Sequence, residues 1–364
     1  MSEWKEYKLG DIAKFSYGRM PKKELLNNGI YPTFSGYKYQ YTYPEYNCNE
    51  GDLIIVARGV GGTGDVKIIR EKCYLTNLSL KVEFKEGTIF NDFFYYFFKQ
   101  ETLRYLDSGS AQSQITIQDL ESESFLLPDF ETQKLISNNL RCIDDKIDLL
   151  HRQNATLEKI AETLFRQWFV EEAKEDWESK PLSSIANLLN GLACQKFLPK
   201  SDIEKLPVLK IKELSSGITE NSDWATTEVK PEYIVKNGDV IFAWSASLMV
   251  KIWDGQDCIL NQHLFKVTSV VYPKWFYLFW CKHHLDEFIT KAASHATTMG
   301  HIKRGDLDEA MVLIPSTKEL EEMTLETEPL IEKIIANNKQ IKLLVNLRDT
   351  LLPKLMSGEV TVEQ

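Results

Sequence analysis

Between residues 133 and 170 the apolar positions fall at Ile136, Leu140, Ile143, Ile147, Leu150, Leu157, Ala161, Leu164 and Trp168. Their steps alternate between four and three, which lays one narrow apolar stripe along a single face of a long helix. Asn154 interrupts the stripe. From Leu330 to Met356 the pattern returns at Ile331, Ile334, Asn338, Ile341, Val345, Leu352 and Leu355, with Arg348 on the same line. Asn338 sits at the phase that Asn154 holds in the first stretch. A stripe this narrow is not covered by its own helix, so the pattern predicts two helices that bury their stripes on each other. The two asparagines would set the register of such a coiled coil at some cost in stability. Two unrelated core helices are the alternative, disfavoured because the asparagine recurs in phase.

The rest of the chain repeats as well. Trp4, Leu9, Ile12 and Gly18 recur as Trp177, Leu182, Ile185 and Gly191, and "GDLI" at 51–54 recurs as "GDVI" at 238–241. The aromatic runs at 93–98 and 275–280 correspond, and Ile115, Asp119, Leu120 and Pro128 match Ile302, Asp306, Leu307 and Pro315. Asn77 and Asn261 are read as a further matched pair that holds a turn. Two copies of one unit are implied, with bodies over 1–130 and 177–315 and helical segments over 131–176 and 316–364.

Within the bodies, Leu53 to Ala57, Val66 to Ile69 and Leu78 to Phe84 read as strands, with counterparts at Val240 to Ala243, Leu248 to Trp253 and His263 to Val267. The stretches 93–106 and 275–292 read as half-buried helices. The fold class is therefore mixed α/β (α+β): two tandem domains separated by a two-helix coiled coil, antiparallel if a pseudo-two-fold axis relates the copies. Asp129 after Pro128, and Ser316 with Glu319 three residues on, mark helix starts. Pro329 is expected to break the second helix, which restarts near Leu330, and Pro353 to truncate or kink it. If a pseudo-two-fold axis exchanges the copies, the helices run antiparallel. A shared seam would then span roughly 36 to 50 Å at about 1.5 Å per residue, on the order of one turn of B-DNA.

Composition adds constraints. The chain has 364 residues, 43% of them hydrophobic, and a net charge of −10. That balance argues against a free-standing nucleic-acid binder. The acidic excess concentrates in the helical segments, so DNA contact would lean on a more basic partner. No apolar run is long enough to cross a bilayer, and the N-terminus lacks a signal peptide's apolar stretch. Six dispersed cysteines read as reduced thiols of a cytoplasmic protein.

The first helix ends "LEKIAETLFRQWFVE", the second ends "LRDTLLPKLMSGEV", and the second copy opens with Trp177 followed by "KPLSSIANLLNG". With two bodies alternating with two similar helices, the chain closely resembles the specificity subunit of type I restriction-modification enzymes over its whole length. The resemblance implies that each body is a target-recognition domain reading one half of a split double-stranded DNA sequence. It also implies that the helices space the halves and dock two methyltransferase subunits, which restriction/translocase subunits then join. The proline at 329 departs from an ideal rod.

No credible active site emerges. "GVGGTG" at 59–64 fits a dinucleotide pattern, but a strand follows it rather than a helix. A loop approaching a DNA groove, with Arg58 and Thr63, and a turn without a ligand remain as readings. Asp65, Glu83 and Lys85 resemble a nuclease triad, although the second copy has no match. Zinc-ligand spacing, a Walker A sequence and a methyltransferase tetrad are absent, so no metal or cofactor is implied. A stand-alone nuclease or methyltransferase with an unrecognised site, and a coiled-coil scaffold with no DNA role, are the competing functions.

DNA reading needs polar side chains on loops and cations for phosphates. In the first copy Arg19, Lys22, Lys23 and Lys38 are candidates for phosphates, and Tyr37, Tyr39 and Gln40 for bases or sugars. Gln112 and Gln114, in a polar stretch, are candidate adenine readers. In the second copy the corresponding cations are Lys196, Lys200, Lys210 and Lys212. Ser245, Ser247, His295, Thr297, Thr298 and Lys303 complete that set. Trp168, Phe169, Leu355 and Met356, near the helix ends, either contact a partner subunit or pack on the neighbouring body.

Overall fold

Two long helices, Phe130–Arg166 and Thr317–Met356, begin where the sequence offers a cap. The computed structural model describes residues 4–36, 38–59, 62–99, 102–107, 113–294 and 300–362. Ahead of the first helix, the Asp129 carboxylate accepts the Thr132 N–H at 3.0 Å. Ahead of the second, the Ser316 N–H donates to the Glu319 carboxylate at 2.9 Å, and the Glu319 N–H returns to the Ser316 hydroxyl at 3.4 Å. Reciprocal caps of this kind satisfy donors that the helix itself leaves unpaired. Hydrogen bonds from Lys174 and Ser316 hold the Glu319 carboxyl down to about 2.

The expected break at Pro329 does not occur. The second long helix runs unbroken through Pro329 and Pro353 to Met356. Each proline removes one N–H and strands the carbonyl four residues earlier. Pro329 and Leu325 are both exposed, as are Pro353 and Asp349, so each stranded carbonyl lies on the wet side of the helix. Water can replace the lost bond there, and the apolar face continues undisturbed.

The chain separates into two compact units, residues 1–146 with 345–364, and residues 147–344. In the second unit, Asn154 pairs with Asn337 and Asn338, while Lys174 and Trp177 pair with Glu319 further along. Partners descend along the second helix as they ascend through the first helix and the residues that follow it, so within this unit the two segments run antiparallel. The Asn154 side-chain amide donates to Asn338 Oδ1 at 2.6 Å, and its Oδ1 accepts from Asn337 Nδ2 at 2.9 Å. Asn337, which the periodicity passed over, is the more deeply buried of the two. In the first unit the Asp144 carboxylate takes Arg348 at 2.8 Å, Lys99 at 2.6 Å and the Tyr96 hydroxyl at 2.9 Å.

Both bodies are built alike. The first has a four-stranded antiparallel sheet in the order Ala13–Tyr17, Ser79–Phe84, Leu53–Val56, Val66–Ile68. The second repeats it as Asn187–Asn190, Leu264–Thr268, Val240–Ala243, Met249–Ile252. A second sheet in each body contains a parallel pair, Tyr31–Ser35 with Tyr74–Leu75 and Lys205–Leu209 with Cys258–Leu260. Equivalent backbone bonds fix the alignment: Ser79 N–H reaches Thr76, and Leu264 N–H reaches Asn261. Asn261 therefore matches Thr76, which corrects its expected pairing with Asn77 by one residue. The Asn261 side chain does hold its turn, accepting the His263 N–H at 3.3 Å.

The aromatic runs fold as helices Asn91–Phe97 and Lys274–His283, the latter followed by a separate helix Leu285–Ser294. Phe93, Phe94, Trp275, Phe276 and Phe279 fill the cores. The first long helix gives way to one π-helical turn, Gln167–Glu171. Phe165 and Phe169 rather than Leu164 and Trp168 are the fully buried positions there, the two rings lying against Trp280 with centroids 5.1 and 5.3 Å away.

All six cysteines are free thiols, five of them buried and Cys142 exposed. Cys48 and Cys73 face each other across an antiparallel bridge inside the first body. In native protein one thiol, Cys142, should react rapidly with an aromatic disulfide reagent, and Cys142→Ser should remove that fast phase. A fast phase surviving Cys142→Ser would mean that one of the bodies opens.

Candidate nucleic-acid interface

The first body's hairpin, Tyr31–Ser35 and Lys38–Tyr43, exposes Lys38, Tyr39 and Gln40. Its base is fixed by Tyr43, which is buried against Tyr74 at 4.0 Å between ring centroids and accepts the Lys22 N–H at 3.2 Å. Arg19, Lys22 and Lys23 are exposed on the adjoining segment, whose Arg19 N–H is tied to the Leu75 carbonyl at 3.0 Å. The sequence candidates from Arg19 to Gln40 thus occupy neighbouring segments of one substructure, except Tyr37, which lies outside the described residues.

The glycine-rich stretch resolves differently from its groove reading. Thr63 is buried, and its hydroxyl donates to the Gly59 carbonyl at 3.0 Å, closing the turn. Gly64 has φ +89°, and a Cβ there would lie 2.5 Å from the Arg104 backbone nitrogen. Thr63 is not available to DNA, because it is buried and its hydroxyl is spent on that closure. Arg58, beside it, is exposed and bridged to Gln114. Gln112 lies outside the described residues. Asp65 and Glu83 pair with different lysines, Lys67 and Lys81. Among the described residues no group of three or more His, Cys, Asp or Glu is placed to hold a metal ion.

In the second body Lys196 and Lys212 are exposed, whereas Lys200 pairs with Glu228 and Lys210 with Asp223. A phosphate would have to displace those carboxylates. Ser247 and Lys303 are exposed. Ser245 is buried, and its hydroxyl lies 3.2 Å from His263 Nδ1, so it supports an imidazole rather than meeting a base. His295, Thr297 and Thr298 lie outside the described residues. Beside Ser245, Trp244 stacks on Phe265 and donates from its indole to Asn190 at 3.2 Å. A cleft of about 880 Å³ opens alongside, lined in part by Asn190, Trp244, Ile302, Lys303 and Arg304. Gln262, His263 and His301 belong to this neighbourhood and escaped sequence reading. Their signal was positional, since they follow matched landmarks of the repeat without resembling their counterparts.

Two of the four helix-end candidates also move. Phe169 and Leu355 are 4% exposed and lie inside the cores of their units, which removes them as partner contacts. Trp168 and Met356 are half-buried. Among the described residues no helix is long and apolar enough to cross a membrane.

A duplicated mixed α/β body, each copy followed by a long helix and the helices paired through asparagines, defines a class of tandem-domain proteins with paired connecting helices. The family model described as the type I restriction modification DNA specificity domain matches residues 1–159 and 174–346. The chain belongs to that family. It is 26% identical to the type I restriction enzyme MjaIX specificity subunit of Methanocaldococcus jannaschii, over 100% of this chain and 94% of that protein. It is 20% identical to the HindI specificity subunit of Haemophilus influenzae, over 99% and 100% of the two. In fold it is similar to the crystal structure of the type I restriction-modification S subunit from M. genitalium, with a TM-score of 0.69 at 15% identity over 100% and 97% of the two chains.

Proposed function

We propose that this chain is the DNA-recognition subunit of a type I restriction-modification complex. The carrying observation is that the family match spans both copies, residues 1–159 and 174–346, so that each body has its own recognition domain. We assign those domains to 1–130 and 177–315, each reading one half of an asymmetric bipartite target in double-stranded DNA. The helical segments 131–176 and 316–364 serve as spacer, with Asn154 and Asn338 setting register, and as docking site for two methyltransferase subunits. Restriction/translocase subunits join that assembly. The chain itself carries no catalytic step and acts in the cytoplasm, without a membrane.

In this reading Arg19, Lys22, Lys23 and Lys38 of the first body meet phosphates, as do Lys196, Lys212 and Lys303 of the second. Tyr39 and Gln40 extend the first contact surface, and Ser247 the second. Trp168 and Met356 remain the helix-end contacts for a partner. The net charge of −10 fits a subunit that relies on its partners for much of the phosphate attraction.

Gel-shift titration tests the partnership. The isolated chain should bind its target at least about tenfold more weakly than the assembled complex, because it lacks the partners' cations. Tight specific binding by the chain alone would overturn this division of labour. Exchanging residues 1–130 for the corresponding body of a relative should change one half of the methylated sequence. An unchanged sequence would sink the recognition assignment.

A further inference from the structure

The internal duplication supplies a comparison that a single body would not. At one end of the four-stranded sheet three stretches meet in each copy, and the backbone bonds joining them repeat. In the first copy Ile115 N–H donates to the Ala57 carbonyl at 3.0 Å, Ala57 N–H donates to the Leu78 carbonyl at 2.9 Å, and Arg58 is bridged to Gln114. In the second, Ile302 N–H donates to the Trp244 carbonyl at 3.1 Å, Trp244 N–H donates to the His263 carbonyl at 3.4 Å, and Ser245 is bridged to His301. Ile115 and Ile302, the inward-facing members, are the same residue and buried in both.

The four positions around them share no identity. Arg58 stands where the second copy has Ser245, Asn77 where it has Gln262, Leu78 where it has His263, and Gln114 where it has His301. Arg58, His263 and His301 are exposed, and Asn77, Gln114 and Gln262 are half-exposed. A shared backbone cradle thus holds two different sets of side chains, polar at every position but Leu78. Fold requirements account for the constancy of the cradle and for none of the variation at its rim.

Resting on the recognition reading above, we propose that this rim determines sequence specificity. Arg58, Asn77 and Gln114 read one half-site, and Gln262, His263 and His301 read the other. The first set suits purine edges in the major groove. A guanidinium spans O6 and N7 of guanine, and a carboxamide spans N6 and N7 of adenine. In the second set Ser245 is a positioning residue, holding the His263 ring from beneath. The Gln262 amide lies 3.4 Å from His263 Nε2 and fixes the same ring from its other edge. The turn leaving the cradle is pinned by Ala246, at φ +55°, whose N–H donates to the Gly300 carbonyl at 2.9 Å. An L-residue in that region is uncommon and persists only where its surroundings enforce it.

Methylation mapping of DNA treated with the complex of the full chain and its methyltransferase subunits tests the proposal. Gln262→Ala and His301→Ala should each relax one or two bases in one half of the motif, leaving the other half as in the wild type. Arg58→Ala and Gln114→Ala should relax bases in the opposite half. The expected loss of discrimination is roughly ten- to a hundredfold at the affected base. Ser245→Ala should partly relax the second half at an unchanged melting temperature, and Ser245→Thr, which keeps the hydroxyl, should restore it; a merely structural hydroxyl would lower the melting temperature and leave the motif alone. Lys303→Ala should lower methylation evenly across sites without altering the motif. Both half-motifs unchanged in variants that melt with the wild type would overturn the proposal. If an alanine variant melts early, His301→Gln and Gln262→Glu keep the size, and an unchanged motif there is equally fatal. The body exchange, run in parallel, separates the two failures: a motif altered by exchange but by no rim variant refutes the rim and leaves the recognition reading standing. A motif that exchange leaves intact refutes the reading itself.

Discussion

Gly191→Ala should cost the second body about 3 kcal/mol or more, because nothing around the new methyl group can yield cheaply. A Cβ on Gly191 would lie 2.3 Å from the Asn261 carbonyl oxygen and 2.5 Å from that of Leu260. Both are backbone atoms, and the Leu260 oxygen already accepts the Leu192 N–H at 2.8 Å. Relief requires the edge strand to separate from the strands it crosses. The first copy repeats the arrangement, with a Cβ on Gly18 falling 2.3 Å from the Thr76 oxygen and 2.4 Å from that of Leu75. Gly18→Ala should therefore weaken the first body by a similar amount. Gly305→Ala, where nothing lies within 4 Å, is the control and should change stability little. Urea unfolding with hydrogen exchange would locate the loss, and a wild-type curve for Gly191→Ala would contradict the close approach of these segments.

The second large effect centres on Asp144 in the first unit. Its carboxylate is 14% exposed and takes hydrogen bonds from Lys99, Arg348 and Tyr96. Asp144→Ala takes the carboxylate from the largely buried Lys99 and leaves Arg348 with Asp349 alone, which should cost about 3 kcal/mol. The acid behaviour follows from the same group. Burial opposes ionisation of Asp144, but the bonds from Lys99 and Arg348 outweigh it and hold the carboxyl below its usual value. A group depressed in the folded state stabilises above its unfolded pKa, near 4, and loses that contribution as pH falls through the folded value. Wild-type stability should therefore fall more steeply below about pH 4 than that of Asp144→Asn, which has no proton to take up there. Equal acid slopes in the two proteins would show that the carboxylate is not held in this way.

Much of the architecture was legible because it rests on period and repetition. Six strand positions and both helix caps follow from local pattern, and the duplication doubled the evidence for each. What escaped depended on surroundings. Pro329 reads as a break because propensity cannot know that its stranded carbonyl faces water. Asn337 was overlooked beside Asn338 because a seam one residue wide ignores the neighbour that rolls inward. Matching Asn77 to Asn261 by letter misplaced the turn by one residue, whereas the backbone bonds align Asn261 with Thr76. Among candidate contacts, Ser245 and Thr63 have the right chemistry but are buried. Composition cannot distinguish a hydroxyl that meets solvent from one that closes a turn, and His263 and His301 follow no motif at all.

The cradle in each body is tied together by main-chain atoms, while its rim residues lie at the surface. Exposed substitutions away from such ties generally alter stability by less than about 0.5 kcal/mol. Rim residues can therefore be exchanged by mutation without passing through poorly folded intermediates. A lineage carrying this scaffold could drift from one target to another under selection for recognition alone, each body at its own pace.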